Sequence, residues 1–223
     1  MEASESSSWA GPYSSSHGDL IHAVGMISLN YNFLEVILRQ HYLNHFNYPS
    51  TGAFTFERQS NDVRLELIKR YIAARKGRDI DADYAEAFLH FLDCFKACQT
   101  NRNIIMHARV ALLTENEELF LEFSKSRKDE PLTLNHFVVS LNGLRKIAND
   151  IKTTAEYGRV TRLLWLSSQV RGTEIARLFG PLPEALPEKP ELPEILNPQG
   201  PPTREKLIVP PQPHAQSKDD PLN

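Results

Sequence analysis

Between Asp19 and Phe46 the chain reads DLIHAVGMISLNYNFLEVILRQHYLNHF, with apolar residues at Leu20, Val24, Ile27, Tyr31, Leu34 and Leu38. Steps of three and four put these side chains on one face of a single long helix. A helix of that length has to bury the face along all of it, so the rest of the chain must supply further helices as partners. Asp19 stands where an N-terminal cap is needed. A second helical pattern, DVRLELIKRYIAARKG, follows Ser60 and Asn61, either of which can cap it, and closes at Gly77. The stretch between the two, NYPSTGAFTFERQS, reads as a turn-rich loop.

A third pattern starts near Asp81 and carries Tyr84, Phe88, Phe91, Phe95 and Cys98 on one stripe. Thr100 and Asn101 interrupt it, and either can cap a fourth helix beginning in NRNIIMHAR; a break and a kink are both open at this point. The alternation of Leu119, Leu121 and Phe123 in ELFLEFSKSRKDEPLTL suggests a short strand or hairpin over the end of the helices. Thr133 or Asn135 then opens a last long helix with Phe137, Leu141, Leu144, Ile147 and Ile151 inward, and Gly158 divides it from RVTRLLWLSSQV. The expected fold is all-α, a four- to five-helix up-down bundle with one short strand or hairpin after helix 4.

Prolines mark where the domain stops. Twelve of the 15 lie in the last 44 residues, a stretch that neither sustains a helix nor pairs as a strand. The Ser-rich residues 1–17 are equally poor in core formers. The expected organisation is therefore a disordered segment 1–17, a helical domain 18–179 and a Pro-rich disordered tail 180–223. The two ends hold −2 and −3 of the overall −3, which leaves the domain at +2 and argues against a strongly basic nucleic-acid binder. No run of 18 uncharged apolar residues and no basic-then-apolar leader is expected. Two cysteines imply no disulfide framework. Cytoplasmic location with no membrane contact is the expectation.

Arg102, Asn103 and His107 lie inside the apolar segment NRNIIMHAR. The stripe of the third helix, continued by its own spacing, reaches Arg102 four residues after Cys98. A buried guanidinium needs a partner, and Glu35, between Leu34 and Leu38, is the best-placed carboxylate. Asn103 and His107 are four apart and share a helix face, with Arg102 about 100° round. The three side chains together suit one anionic group.

RNIIMH in this setting resembles the R-x(4–6)-H motif of the HEPN superfamily (higher eukaryotes and prokaryotes nucleotide-binding), with the asparagine after the arginine as in its toxin and effector-nuclease members. The resemblance spans about residues 19–155. It implies a homodimer in which Arg102 and His107 act as the catalytic pair of a metal-independent endoribonuclease with no cofactor, supported by Asn103 and by Glu35. Its substrate would be RNA, its products would carry 2′,3′-cyclic phosphate ends, and its setting would be toxin or defence, with an antitoxin or other protein partner reached through the Pro-rich tail. The alternative is a non-catalytic helical binding module of the same fold. The bare spacing also occurs from Arg39 to His45, so weight rests on the asparagine and on the placement.

Other residues invite weaker readings. His90, Cys94 and Cys98 are spaced for one soft-ligand face, although cysteines among Phe91, Leu92 and Phe95 fit a core better. His41 and His45 form an H-x3-H pair expected on a solvated or interface face. Glycine patterns of the serine hydrolases, P-loop proteins and dinucleotide-binding folds do not occur.

Overall fold

A computed structural model of the chain describes residues 18–46, 49–113, 118–125, 133–170 and 183–199. Among the described residues there are five helices and a small sheet: α1 (Gly18–Phe46), α2 (Pro49–Arg58), α3 (Asn61–Arg75), α4 (Ala82–His107), β1 (Arg109–Leu113), β2 (Leu119–Lys125), β3 (Thr133–Val139) and α5 (Leu141–Val170). The described residues divide into two compact units: the helices with residues 183–197, called the strap, and the segment 108–140 with Pro198 and Gln199.

α1 buries the predicted face, with Leu20, Ile27, Tyr31, Leu34 and Leu38 all under 5% exposed. Each such side chain contributes roughly 1.5–3 kcal/mol of hydrophobic transfer. α1 packs against α5, where Asn30 Nδ2 donates to the Ala148 carbonyl at 2.9 Å, and against α4, where the rings of Tyr31 and Phe95 meet at 5.9 Å. By length and composition alone, α1 is also long and apolar enough to cross a membrane, with mean hydropathy 1.3 over 18 residues. That corrects the expectation that no segment comes near. Core helices pass the same test, and the inner face of α1 is buried here.

Asp19 does not cap α1: the helix already includes Gly18, and the Asp19 carboxylate accepts from Arg145 at 3.0 Å. Ser60 Oγ accepts from Val63 N at the start of α3, and Asp81 Oδ1 accepts from the Asp83 and Tyr84 amides at the start of α4. Gly77, at φ +71°, turns the chain after α3 and donates its N–H to the Ile80 carbonyl.

Several expected boundaries differ. The turn-rich stretch contains α2: proline is tolerated in a first helical turn, and Phe56 buries edge-on against Tyr42. The third and fourth patterns form one helix, because Asn101 is turned into a contact with the strap and does not cap. α5 runs through Gly158 unbroken. A Cβ there would lie 2.3 Å from the Phe91 ring, so the glycine permits close approach of α4 and does not end the helix. Residues 133–139 form β3, and the last helix opens only at Leu141. Period-two burial of Phe137 and Val139 explains why.

The sheet is antiparallel in the order β1-β2-β3, one strand more than a hairpin, with Leu119 opposite Val139 and Leu121 opposite Phe137. At the free edge of β3, Gln199 donates its N–H to the His136 carbonyl.

Residues 183–197 correct the picture of a tail without structure. They lie extended, with no helix or strand, against α4 and α5. The His90, Asn101 and Glu86 side chains hold them at Pro190, at Glu194 with Leu196, and at Lys189. The predicted segment 1–17 and residues 200–223 lie outside the described residues.

Candidate functional site

The last two turns of α4 carry Arg102, Asn103 and His107. Arg102 Nη1 donates to Asn103 Oδ1 at 3.1 Å and stands 3.4 Å from His107 Nε2. Guanidinium nitrogens only donate, so in this contact Nε2 is the acceptor. Residues five apart on a helix point about 140° apart and about 7.5 Å along the axis; the length of the arginine side chain closes that gap. His107 is exposed, while Arg102 and Asn103 are half-buried.

Glu35 does not pair with Arg102. Among the described residues no ion pair joins them. Glu35 Oε1 accepts from Asn61 Nδ2 at 2.6 Å, and the same amide donates to the Tyr31 hydroxyl at 3.0 Å. Asn61 Oδ1 in turn accepts from Arg64 Nη1 at 2.5 Å. Asn61, at the start of α3, thus takes the position beside Glu35 that the arginine was expected to fill. Arg102 instead lies with its Cζ 5.2 Å from the Tyr31 ring centre, a cation–π geometry. Burial, with Glu35 next to it, raises the Tyr31 hydroxyl pKa above the ordinary tyrosine value.

The site therefore has two parts in one unit: Arg102, Asn103 and His107 in contact near the Tyr31 ring, and Glu35 with Asn61 and Arg64, of which Asn61 bonds the Tyr31 hydroxyl. Sequence reasoning missed Tyr31, Asn61 and Arg64. Asn61 was visible only as a cap candidate, and because Ser60 takes the capping role its amide is free to reach α1.

The remaining candidates belong to the core. His41 is fully buried, His45 is 5% exposed, and both rings stack on Phe88. This corrects the expectation of a solvated face. His41 Nε2 donates to the Gly158 carbonyl at 2.9 Å, and His45 Nε2 shares a hydrogen bond with the Tyr84 hydroxyl at 3.0 Å. Burial pulls the pKa of His41 down to about 3 and that of His45 to about 4. Cys94 and Cys98 are buried thiols pushed up to about 11 and about 12, chiefly by burial. Cys98 Sγ lies 3.5 Å from Thr154 Oγ1.

Comparison with protein-family models, with curated proteins and with solved structures finds no match to this chain. The functional reading therefore rests on the residues themselves.

Proposed function

We propose that the chain is a HEPN-like endoribonuclease acting as a homodimer, in which Arg102, Asn103 and His107 receive an RNA phosphate. The observation that carries this reading is the meeting of Arg102 Nη1 with both Asn103 Oδ1 and His107 Nε2 at an exposed helix end.

The chemistry follows from these groups. The ribose 2′-oxygen attacks the adjacent phosphorus, and its proton passes to His107 Nε2, the lone pair that now faces Arg102. Arg102 turns its guanidinium to the non-bridging oxygens and stabilises the charge that builds on them. The P–O5′ bond breaks, and an imidazolium, of the same or a second copy, protonates the leaving oxygen. A 2′,3′-cyclic phosphate and a 5′-hydroxyl result, and no metal is needed. Asn103 holds the arginine until the phosphate arrives. A cytoplasmic protein of toxin or defence type, with an antitoxin or similar partner, fits this chemistry.

A second reading, a non-catalytic binding module, has its own support. Arg102 lies over Tyr31 and Glu35 is bonded to Asn61, an arrangement that braces α1, α3 and α4 internally.

The test is incubation of the purified full chain with single-stranded RNA in EDTA, with 2′-deoxy substitution as control. Cleavage to cyclic phosphate ends that is lost in His107→Ala and Arg102→Ala supports the nuclease. Intact RNA with wild-type protein, at concentrations where it is dimeric, leaves the module.

A further inference from the structure

Residues 187–195 read PEKPELPEI, three successive Pro-Glu-x triplets, followed by Leu196. Their burial has the same period. Pro187, Pro190 and Leu196 are half-buried and Pro193 is buried, whereas both other positions of every triplet are exposed. A strand would alternate every second residue. A period of three is that of a polyproline II helix, with three residues per turn and one edge of three against its support.

Such a helix makes no hydrogen bonds of its own, so its backbone groups are free to be read by side chains. α4 supplies the readers. His90 Nε2 donates to the Pro190 carbonyl at 2.8 Å. Asn101 Nδ2 donates to the Glu194 carbonyl, and Asn101 Oδ1 accepts from the Leu196 N–H, each at 2.8 Å. His90 and Asn101 are eleven residues apart, about 16 Å along an α-helix. From Pro190 to Ile195, the midpoint of the Asn101 contacts, is five residues, about 15.5 Å in polyproline II. The two spacings match.

Asn101 is 1% exposed, and the strap takes both the donor and the acceptor of its amide. A buried amide left without partners costs about 1–3 kcal/mol, so this turn of α4 is built to hold an extended chain. A surface ion pair of Lys189 with Glu86 on α4 adds to these contacts.

We propose that the surface formed by α4 and α5 is a receptor for acidic Pro-x-x-Pro-x-x-Pro peptides, and that residues 187–196 are its built-in ligand. His90 and Asn101 read the backbone, and the Pro187–Pro190–Pro193 edge supplies the apolar contact. The covalent link through residues 171–182 keeps the ligand at an effective concentration in the millimolar range. A second peptide of the same pattern enters only when the strap leaves.

The test uses the full chain with a protease site inserted between residues 171 and 182. After cutting, the released segment should stay bound at high protein concentration and leave on dilution. A labelled peptide of residues 183–199 should bind the cut and diluted chain but not the uncut one. Asn101→Ala should weaken that binding about tenfold or more, since two hydrogen bonds go. Alanine at Pro190 and Pro193 of the peptide should weaken it similarly, and alanine at Leu192 by less than about threefold. Equal binding to cut and uncut chains, or equal effects at inner and outer edges, would overturn the proposal. If the stripped chain unfolds, hydrogen exchange in the uncut chain decides. The Leu196 amide should be protected in the wild type and exchange freely in Asn101→Ala while the amides of α4 stay protected; an unprotected Leu196 amide in the wild type refutes it.

Discussion

Two arginine–histidine pairs in this chain obey the same loose spacing and end in opposite places. Arg102 and His107 touch at the exposed end of α4. Arg39 instead reaches Glu57 at 3.5 Å on the surface, while His45 is buried among the rings of Phe88, Tyr84 and Trp165. Spacing does not separate them: five residues leave two side chains about 140° apart and about 7.5 Å along the axis, six leave them about 120° apart and about 9 Å along it. Position decides. A histidine at a helix end keeps a lone pair for chemistry, and one in the middle of a buried face is committed to packing.

Substitution separates the two pairs most sharply. Under the proposed function, His107→Ala should lower the RNA cleavage rate about 10²–10⁴-fold and change the unfolding free energy by under about 0.5 kcal/mol, because the ring is exposed. His45→Ala should do the reverse, costing roughly 2–4 kcal/mol through the cavity and the lost Tyr84 contact. Chemical denaturation of both variants beside the RNA assay checks this. Comparable destabilisation by the two substitutions would erase the contrast.

Acid should expose the core pair next. His41 and His45 are held neutral, with folded-state pKa values of about 3 and about 4 against an ordinary 6.5. The unfolded chain then binds more protons than the folded one between those values and 6.5. Stability is therefore fully present above about pH 6.5 and falls as pH drops towards 4, by about 1.4 kcal/mol per pH unit for each histidine. Melting temperature measured from pH 7 to pH 4 should show this, with a shallower slope in His45→Phe. A slope unchanged by that substitution would mean that His45 is not the neutral buried group described.

How much of this was legible follows the same physics. The faces of α1 and of α4 as far as Cys98 could be read because each keeps a period of three and four over that length. α2 could not, since Pro49, Ser50 and Gly52 look like a turn until Phe56 is seen packed on Tyr42. β3 was read as helix because Phe137 fits either period. At the site, Arg102, Asn103 and His107 were readable because they are neighbours on one helix. The partner of Glu35 was not, because Asn61 comes from another element and only tertiary packing brings it to α1. The Pro-rich segment was correctly read as neither helix nor strand, but the side chains that dock it, His90 and Asn101, lie about a hundred residues away.

Smaller effects should refine the contrast. Gly158→Ala tests whether the buried layer is as tight as the pair at the helix end is loose. The new methyl would lie 2.3–2.9 Å from three atoms of the Phe91 ring, and that ring is fully buried beside His41. Overpacking of this kind costs about 1–3 kcal/mol, against a gain of up to about 1 kcal/mol from the better helix propensity of alanine. The net expectation is a loss of roughly 0–2 kcal/mol, with the His41–Gly158 hydrogen bond lengthened; a stabilised variant would mean that Phe91 can move and the layer is not close-packed. Arg39→Ala should do least. Its bond to Glu57 is long and both side chains are largely exposed, so denaturation should shift by under about 1 kcal/mol and less still in high salt. RNA cleavage should be unchanged as well. Were Arg39→Ala to lower cleavage as Arg102→Ala does, the exposed arginine of the first pair would belong to the site, and spacing alone would have been a better guide than position.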